Sequence, residues 1–207
     1  MQEIKWVFDV WNWYVKWVIF GVEDWKTTVL AKDIQKTDGM RKWKILDNIK
    51  LSQIIVTMTE YFIKKLWGDF IDEVIVGLSH PNMETERITE QKRIISWQIV
   101  DNDVKHLSKL MSDIWHKDNY ETIKILPVYR IVDDDKKEKD PIWLQAKKLS
   151  LVADIFRLPK NFYNQISDIF DKLNVNVVDV VPTILATNEA VLDFDQKDLG
   201  TLVMDIW

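Results

Sequence analysis

Eleven tryptophans against five glycines in 207 residues constrain this chain more than any other feature. Glycine is the residue that takes a left-handed backbone at no steric cost. It ordinarily makes up about 7% of a chain, and tryptophan is ordinarily rare. Several tryptophans stand where a turn is due. Asp24-Trp25 separates the apolar runs Val15–Val22 and Thr27–Ala31, where a hairpin favours Asp-Gly. Trp11 and Trp13 fall in a tight strand–turn–strand segment, and Trp67 follows an amphipathic helix at the position where glycine is preferred. A tryptophan at positive φ is strained. The pattern is that of a gene in which UGA encodes glycine, as in some bacterial lineages, translated as though UGA meant tryptophan. The competing reading is a tryptophan-rich protein with an aromatic binding surface. Recurrence at turn-like positions favours the first reading.

The remaining composition excludes whole classes. Hydrophobic residues are 47% and charged residues 29%, ordinary for a globular protein with real cores. A net charge of −5 leaves no electrostatic footprint for nucleic acid. With no cysteine there are no disulfides, thiolate metal sites or cysteine nucleophiles, which fits a reducing cytosol. No apolar run is long enough to span a membrane. The opening MQEIKW leads straight into a strand-like pattern, unlike a signal peptide.

Periodicity organises the chain. Residues 4–10 alternate as a strand, the turn is at 11–13, and 15–22 and Thr27–Ala31 read as further strands. Leu51, Ile55, Met58, Phe62 and Leu66 form one apolar stripe on a helix over 48–66. Glu73–Leu78 reads as a buried strand. Residues 81–100 turn polar and charged. A helix is expected over 101–114, with Asp101 as its N-cap. Strands follow at 121–132 and around Leu149–Ile155, separated by the charged loop 133–141. Then come an amphipathic helix over 160–173, a strand at Asn176–Val181, a helix with Pro182 at its first position, and a strand at Thr201–Ile206. Strands alternate with helices at both ends, which predicts an α/β fold interrupted by an insertion at about 81–158.

Catalytic signatures are sparse. His80, His106 and His116 lack metal-ligand spacing, and no Ser/His/Asp arrangement can be assigned. There is no Walker A loop and no intact GxGxxG. The informative segment is Phe8-Asp9-Val10-Trp11-Asn12-Trp13-Tyr14-Val15-Lys16. An Asp at a strand end can orient waters on a nucleotide-bound Mg²⁺. Small turn residues let backbone N–H groups approach phosphate, and a Lys neutralises charge there. With glycine at 11 and 13 the segment resembles the first phosphate hairpin of the actin, Hsp70 and FtsA superfamily. Leu202–Trp207 resembles the start of the second, in which Asp205 and Trp207 take the Asp and first-glycine places.

The middle of the chain narrows the resemblance. VIVGLS at 74–79, KILPVYRIV at 124–132, KDPIWL at 139–144, TNEAVL at 187–192 followed by Asp198-Leu199-Gly200, and RKWKILD around Trp43 resemble, in order, the bacterial cell-division FtsA family. The pilus protein PilM is the nearest competitor. MreB-like and Hsp70-like proteins lack such an insert.

This resemblance implies an actin-like (ribonuclease H-like) α/β subdomain 1A at 1–80 and 159–199. It implies an inserted SHS2-like subdomain 1C at 81–158 and the first strand of subdomain 2A at 200–207. It implies an ATP and Mg²⁺ site that uses Asp9, Trp11, Asn12, Trp13, Lys16, Asp205 and Trp207, with Asp9 and Asp205 holding the metal through water. It further implies FtsZ binding through a subdomain beyond this chain, self-association into filaments, and divisome partners on 81–158. The membrane tether would be a C-terminal amphipathic helix, also beyond the chain, and the location the cytoplasmic face of the inner membrane at the division site. As it stands the chain would bind nucleotide poorly. One position departs from hydrolytic relatives, which carry Glu before the helix-opening Pro. Val181 stands there and cannot orient water, so the expectation is at most a weak ATPase. The alternatives are a PilM-like or plasmid-segregation ATPase or, with genuine tryptophans, a pseudo-actin interaction module without nucleotide.

Overall fold

The computed structural model describes residues 3–24, 26–65 and 73–204. The chain forms two compact units, Met1–Pro81 with Asn161–Trp207, and Asn82–Lys160.

In the first unit, β1 (Glu3–Val10), β2 (Tyr14–Glu23) and β3 (Lys26–Lys36) form an antiparallel meander. Two short strands, β4 (Met40–Arg41) and β5 (Lys44–Ile45), make a separate hairpin. Helix α1 (Asn48–Lys65) leads to β6 (Glu73–Leu78), which lies parallel to β1. After the second unit come α3 (Lys160–Asp171), β11 (Asn176–Pro182), α4 (Thr183–Val191) and α5 (Phe194–Leu199). The sheet order is β11-β6-β1-β2-β3, with β11 parallel to β6.

Period-2 patterning decides which face is buried. Trp6, Phe8 and Val10 of β1, Val15, Trp17 and Ile19 of β2, and Val74, Val76 and Leu78 of β6 are all buried. So are Leu51, Ile55 and Met58 of α1 and Phe162, Ile166, Ile169 and Phe170 of α3. The Phe8 and Phe170 rings meet edge-on at 5.3 Å. Each buried side chain of this size contributes roughly 1.5–3 kcal/mol. The α1 stripe is as expected at positions 51, 55 and 58. Leu66 lies outside the described residues.

The second unit is a four-stranded sheet in the order β7-β10-β8-β9, formed by β7 (Glu84–Arg93), β8 (Tyr120–Val132), β9 (Lys136–Glu138) and β10 (Lys148–Pro159). Helix α2 (Asp101–Ile114) carries Leu107 and Met111 into a core with Ile88, Leu149, Leu151, Ala153 and Ile155.

Five expectations need correction. The segment expected as a loop over 133–141 contains β9, which pairs with β8. Val100, not Asp101, is the N-cap of α2, and the Asp103 carboxylate accepts the Val100 N–H at 3.1 Å. Pro182 is the N-cap of α4 rather than its first helical residue. Central strand β10 is buried on both faces rather than half-buried, since Ser150, Val152 and Phe156 are buried as well as the alternating Leu149, Leu151, Ala153 and Ile155. Thr201–Met204 is not a strand, since none of the described strands pairs with it and an extended segment needs a ladder to satisfy its backbone. The rest of that expected strand lies outside the described residues.

Candidate functional site

The site begins with the β1–β2 ladder, in which Asp9 and Lys16 are directly opposed. Both occupy the face opposite the core, because Phe8, Val10, Val15 and Trp17 take the buried alternation. Lys16 Nζ lies 3.3 Å from Asp9 Oδ2. Asp9 Oδ1 is buried and has no hydrogen-bond partner. An open cavity of about 560 Å³ is lined by Val7, Asp9, Lys16, Trp17, Val18, Lys32, Asp33 and Ile34, so a second carboxylate and a second lysine border it. A carboxylate with one orphaned oxygen beside an ammonium can orient a hydrated cation and receive its anionic ligand.

The turn at 11–13 is tied to its surroundings by four bonds. The Trp11 N–H donates to Tyr14 O at 3.0 Å, and the Thr37 N–H donates to Trp13 O at 2.8 Å. Thr37 Oγ1 donates to Trp11 O at 2.9 Å. Asn12 is buried, and its Oδ1 accepts the Trp43 N–H at 3.0 Å. Asn12 therefore holds the β4–β5 hairpin against the turn. The Trp11 indole meets Trp43 edge-on at 6.3 Å, with Lys16 Nζ 5.3 Å from its ring centre. Trp13 is 58% exposed. Neither Trp11 nor Trp13 has positive φ, so a glycine preference at these two positions rests on room beside Lys16 and not on backbone angle. Asp205 and Trp207 lie outside the described residues, as do Trp25 and Trp67.

Register extends the site across the parallel strands. Asp9 of β1 is paired with Gly77 of β6, and Gly77 with Val181 of β11. The next row is Val10, Leu78 and Pro182. The row reaches the carboxyl ends of parallel strands, where open α/β sheets bind ligands. With strands about 4.8 Å apart, Val181 sits two strand spacings, roughly 10 Å, from Asp9. Gly77 is a site residue that sequence reasoning passed over. A Cβ there would lie 3.4 Å from Asp9 Oδ1. Its signal was a lone glycine inside an apolar strand, a mark of close approach.

The histidines stay outside this chemistry. The His80 ring packs 4.8 Å from Phe162. Burial pushes its pKa below the ordinary 6.5, opposed by a hydrogen bond with the Trp43 backbone. Among the described residues no group of three His, Cys, Asp or Glu converges on a metal. A cation beside Asp9 would therefore take most of its ligands from water and phosphate.

A mixed five-stranded sheet with an antiparallel meander beside two parallel crossover strands is the arrangement of the actin-like class of α/β proteins. A solved PilM–PilN type IV pilus biogenesis complex contains a chain with this fold, matching 89% of the present chain and 49% of its own at a TM-score of 0.56 and 9% identity. In sequence the chain is similar to the cell-division protein FtsA. It is 24% identical to FtsA of Enterococcus faecalis and 26% identical to FtsA of Enterococcus hirae, each over 200 residues and 96% of the chain. FtsA of Buchnera aphidicola is 22% identical over 109 residues. The chain spans 45% of the length of the two enterococcal relatives. No protein-family profile matches it.

Proposed function

We propose that this chain is the amino-terminal part of an FtsA-like adaptor of the bacterial division machinery, gated by ATP with Mg²⁺. In this reading the first unit is subdomain 1A, the second is the partner-binding subdomain 1C, and residues from 200 onward begin subdomain 2A. The observation that carries the nucleotide assignment is the opposition of Asp9 and Lys16 beside an orphaned carboxylate oxygen. The similarity to FtsA over 96% of the chain carries the cellular role.

Asp9 would orient the waters of a nucleotide-bound Mg²⁺, and Lys16 would neutralise phosphate charge. Trp11, Asn12 and Trp13 occupy the turn that would face the phosphates, with the Asn12 and Trp13 N–H groups as the proposed donors, since that of Trp11 is bonded to Tyr14 O. Asp205 and Trp207 are proposed for the second phosphate turn. The apolar Val181 at the end of the Asp9 row has no group with which to hold or deprotonate water. The protein is therefore a nucleotide switch with feeble turnover. Filament formation, FtsZ capture and attachment to the cytoplasmic face of the inner membrane would depend on segments beyond residue 207. Among the described residues no helix is long and apolar enough to cross a membrane.

The test is co-sedimentation of the longer protein encoded by the gene with FtsZ filaments on anionic-lipid vesicles. Vesicle- and ATP-dependent recruitment of FtsZ is the expected result. No recruitment with ATP and Mg²⁺ present contradicts the divisome reading and favours the pilus or plasmid-segregation alternative.

A further inference from the structure

Among the described residues, nine non-glycine positions have positive φ, and five of them are Asn or Asp (Asp24, Asn119, Asp133, Asp134 and Asn174), the types that tolerate this region. Three of the remaining four are tryptophans: Trp43 at 63°, Trp97 at 59° and Trp143 at 75°. A bulky residue is a genuine outlier there.

Two of these tryptophans stand in turns that ask for glycine. Arg41 pairs with Lys44 across the β4–β5 hairpin, leaving Lys42 and Trp43 as its two-residue loop. Both have positive φ, 49° and 63°, as a type I′ turn requires, and its second place favours glycine. At the second site the Leu144 N–H donates to Pro141 O at 3.1 Å, which makes Trp143 the third residue of a four-residue turn. Positive φ at that place is the type II pattern, again a glycine place. Trp97 lies in a bend whose carbonyl accepts the Ala146 N–H at 3.0 Å. Trp97 and Trp143 are also 62% and 71% exposed.

Trp43, unlike the other two, is buried, and Trp115 differs from all three in its backbone. Its φ is −90° at the C-cap of α2. Its indole Nε1 donates to Glu90 Oε1 at 2.8 Å, its ring packs against the core of the second unit, and its carbonyl accepts Arg157 Nη2 at 3.1 Å.

We infer that residues 43, 97 and 143 are glycine in the protein made by its source cell, and that residue 115 is tryptophan. This sorting stands apart from the nucleotide reading, since turn geometry alone carries it. Its consequence for the site is local: a glycine at 43 removes the indole that meets Trp11.

Two measurements test it. The first is mass spectrometry of the native protein's tryptic peptides Ile94–Lys105, Asp140–Lys147 and Leu110–Lys117. Glycine in the first two and tryptophan in the third is expected. Position 43 is read from the peptide Asp38–Leu46, released by cleavage before aspartate, and glycine is expected there; tryptophan at 43, 97 or 143, or glycine at 115, overturns the sorting. The second is thermal melting of the recombinant chain. Trp97→Gly and Trp143→Gly are each expected to raise Tm by about 2–4 °C, and Trp115→Gly to lower it. Trp143→Ala removes the exposed indole while keeping the strain. If Trp143→Ala melts as high as Trp143→Gly, backbone strain is not the cause and the inference fails. Neither readout depends on nucleotide.

Discussion

Gly77 and Asp9 are paired across the parallel β6–β1 ladder, and a Cβ on Gly77 would lie 3.4 Å from Asp9 Oδ1. That is ordinary contact for a methyl group and too little for a branched side chain. Gly77→Ala is therefore expected to keep nucleotide binding in the longer protein. Gly77→Val is expected to displace the carboxylate and weaken Mg·ATP by roughly tenfold, about 1.4 kcal/mol. Equal affinity in both variants would remove Gly77 from the site.

Val181 ends the same row through its pairing with Gly77. If its apolar side chain limits hydrolysis, Val181→Glu should raise steady-state ATP turnover in the longer protein by about 100-fold, the lower end of what a positioned base supplies. Unchanged turnover would mean that the water-positioning place lies elsewhere.

Arg157 is buried within the second unit. Its guanidinium bonds Glu86 at 2.9 Å and the Trp115 carbonyl at the end of α2 at 3.1 Å. Arg157→Met leaves that carbonyl without its donor and should cost roughly 1–3 kcal/mol in denaturant unfolding. Glu86 is half-exposed, so Glu86→Gln should cost less than about 1 kcal/mol. Equal losses would assign the energy to the ion pair and not to the helix end.

His80 gives the first unit an acid sensitivity. Its folded pKa lies below the ordinary 6.5, chiefly through burial. The unfolded chain therefore binds the proton first as pH falls. Stability is full above 6.5 and is lost as pH drops through the folded value. Urea midpoints at pH 7.5 and 5.5 should differ more in the parent than in His80→Gln. The same difference in both would place the sensitivity on carboxylates.

Much of the first unit was legible because its residues obey one period at a time. Leu51, Ile55 and Met58 specify α1, and Val74, Val76 and Leu78 specify a buried strand. The second unit was harder. Strand β7 reads ETERITEQKR, and only its pairing with β10 makes it a strand; tertiary context overrides propensity there. Helix α5 carried a readable signal that was passed over. Asp193 accepts the Gln196 N–H, and the Gln196 side chain accepts the Asp193 N–H, a capping box at the usual spacing. At the site, Asp9 and Lys16 were legible as a strand end and a cation. Gly77 and Val181 carry local signals, a lone glycine in a strand and the residue before Pro182, but their place in one row with Asp9 comes from the pairing of strands distant in sequence.

The most direct measurement of the central claim is calorimetric titration of Mg·ATP into the longer protein carrying glycine at 11, 13 and 43, beside its Asp9→Ala variant. The account predicts saturable, Mg²⁺-dependent binding that weakens at least tenfold, about 1.4 kcal/mol, when Asp9 is removed. Binding that ignores Asp9, or no binding at all, would contradict it.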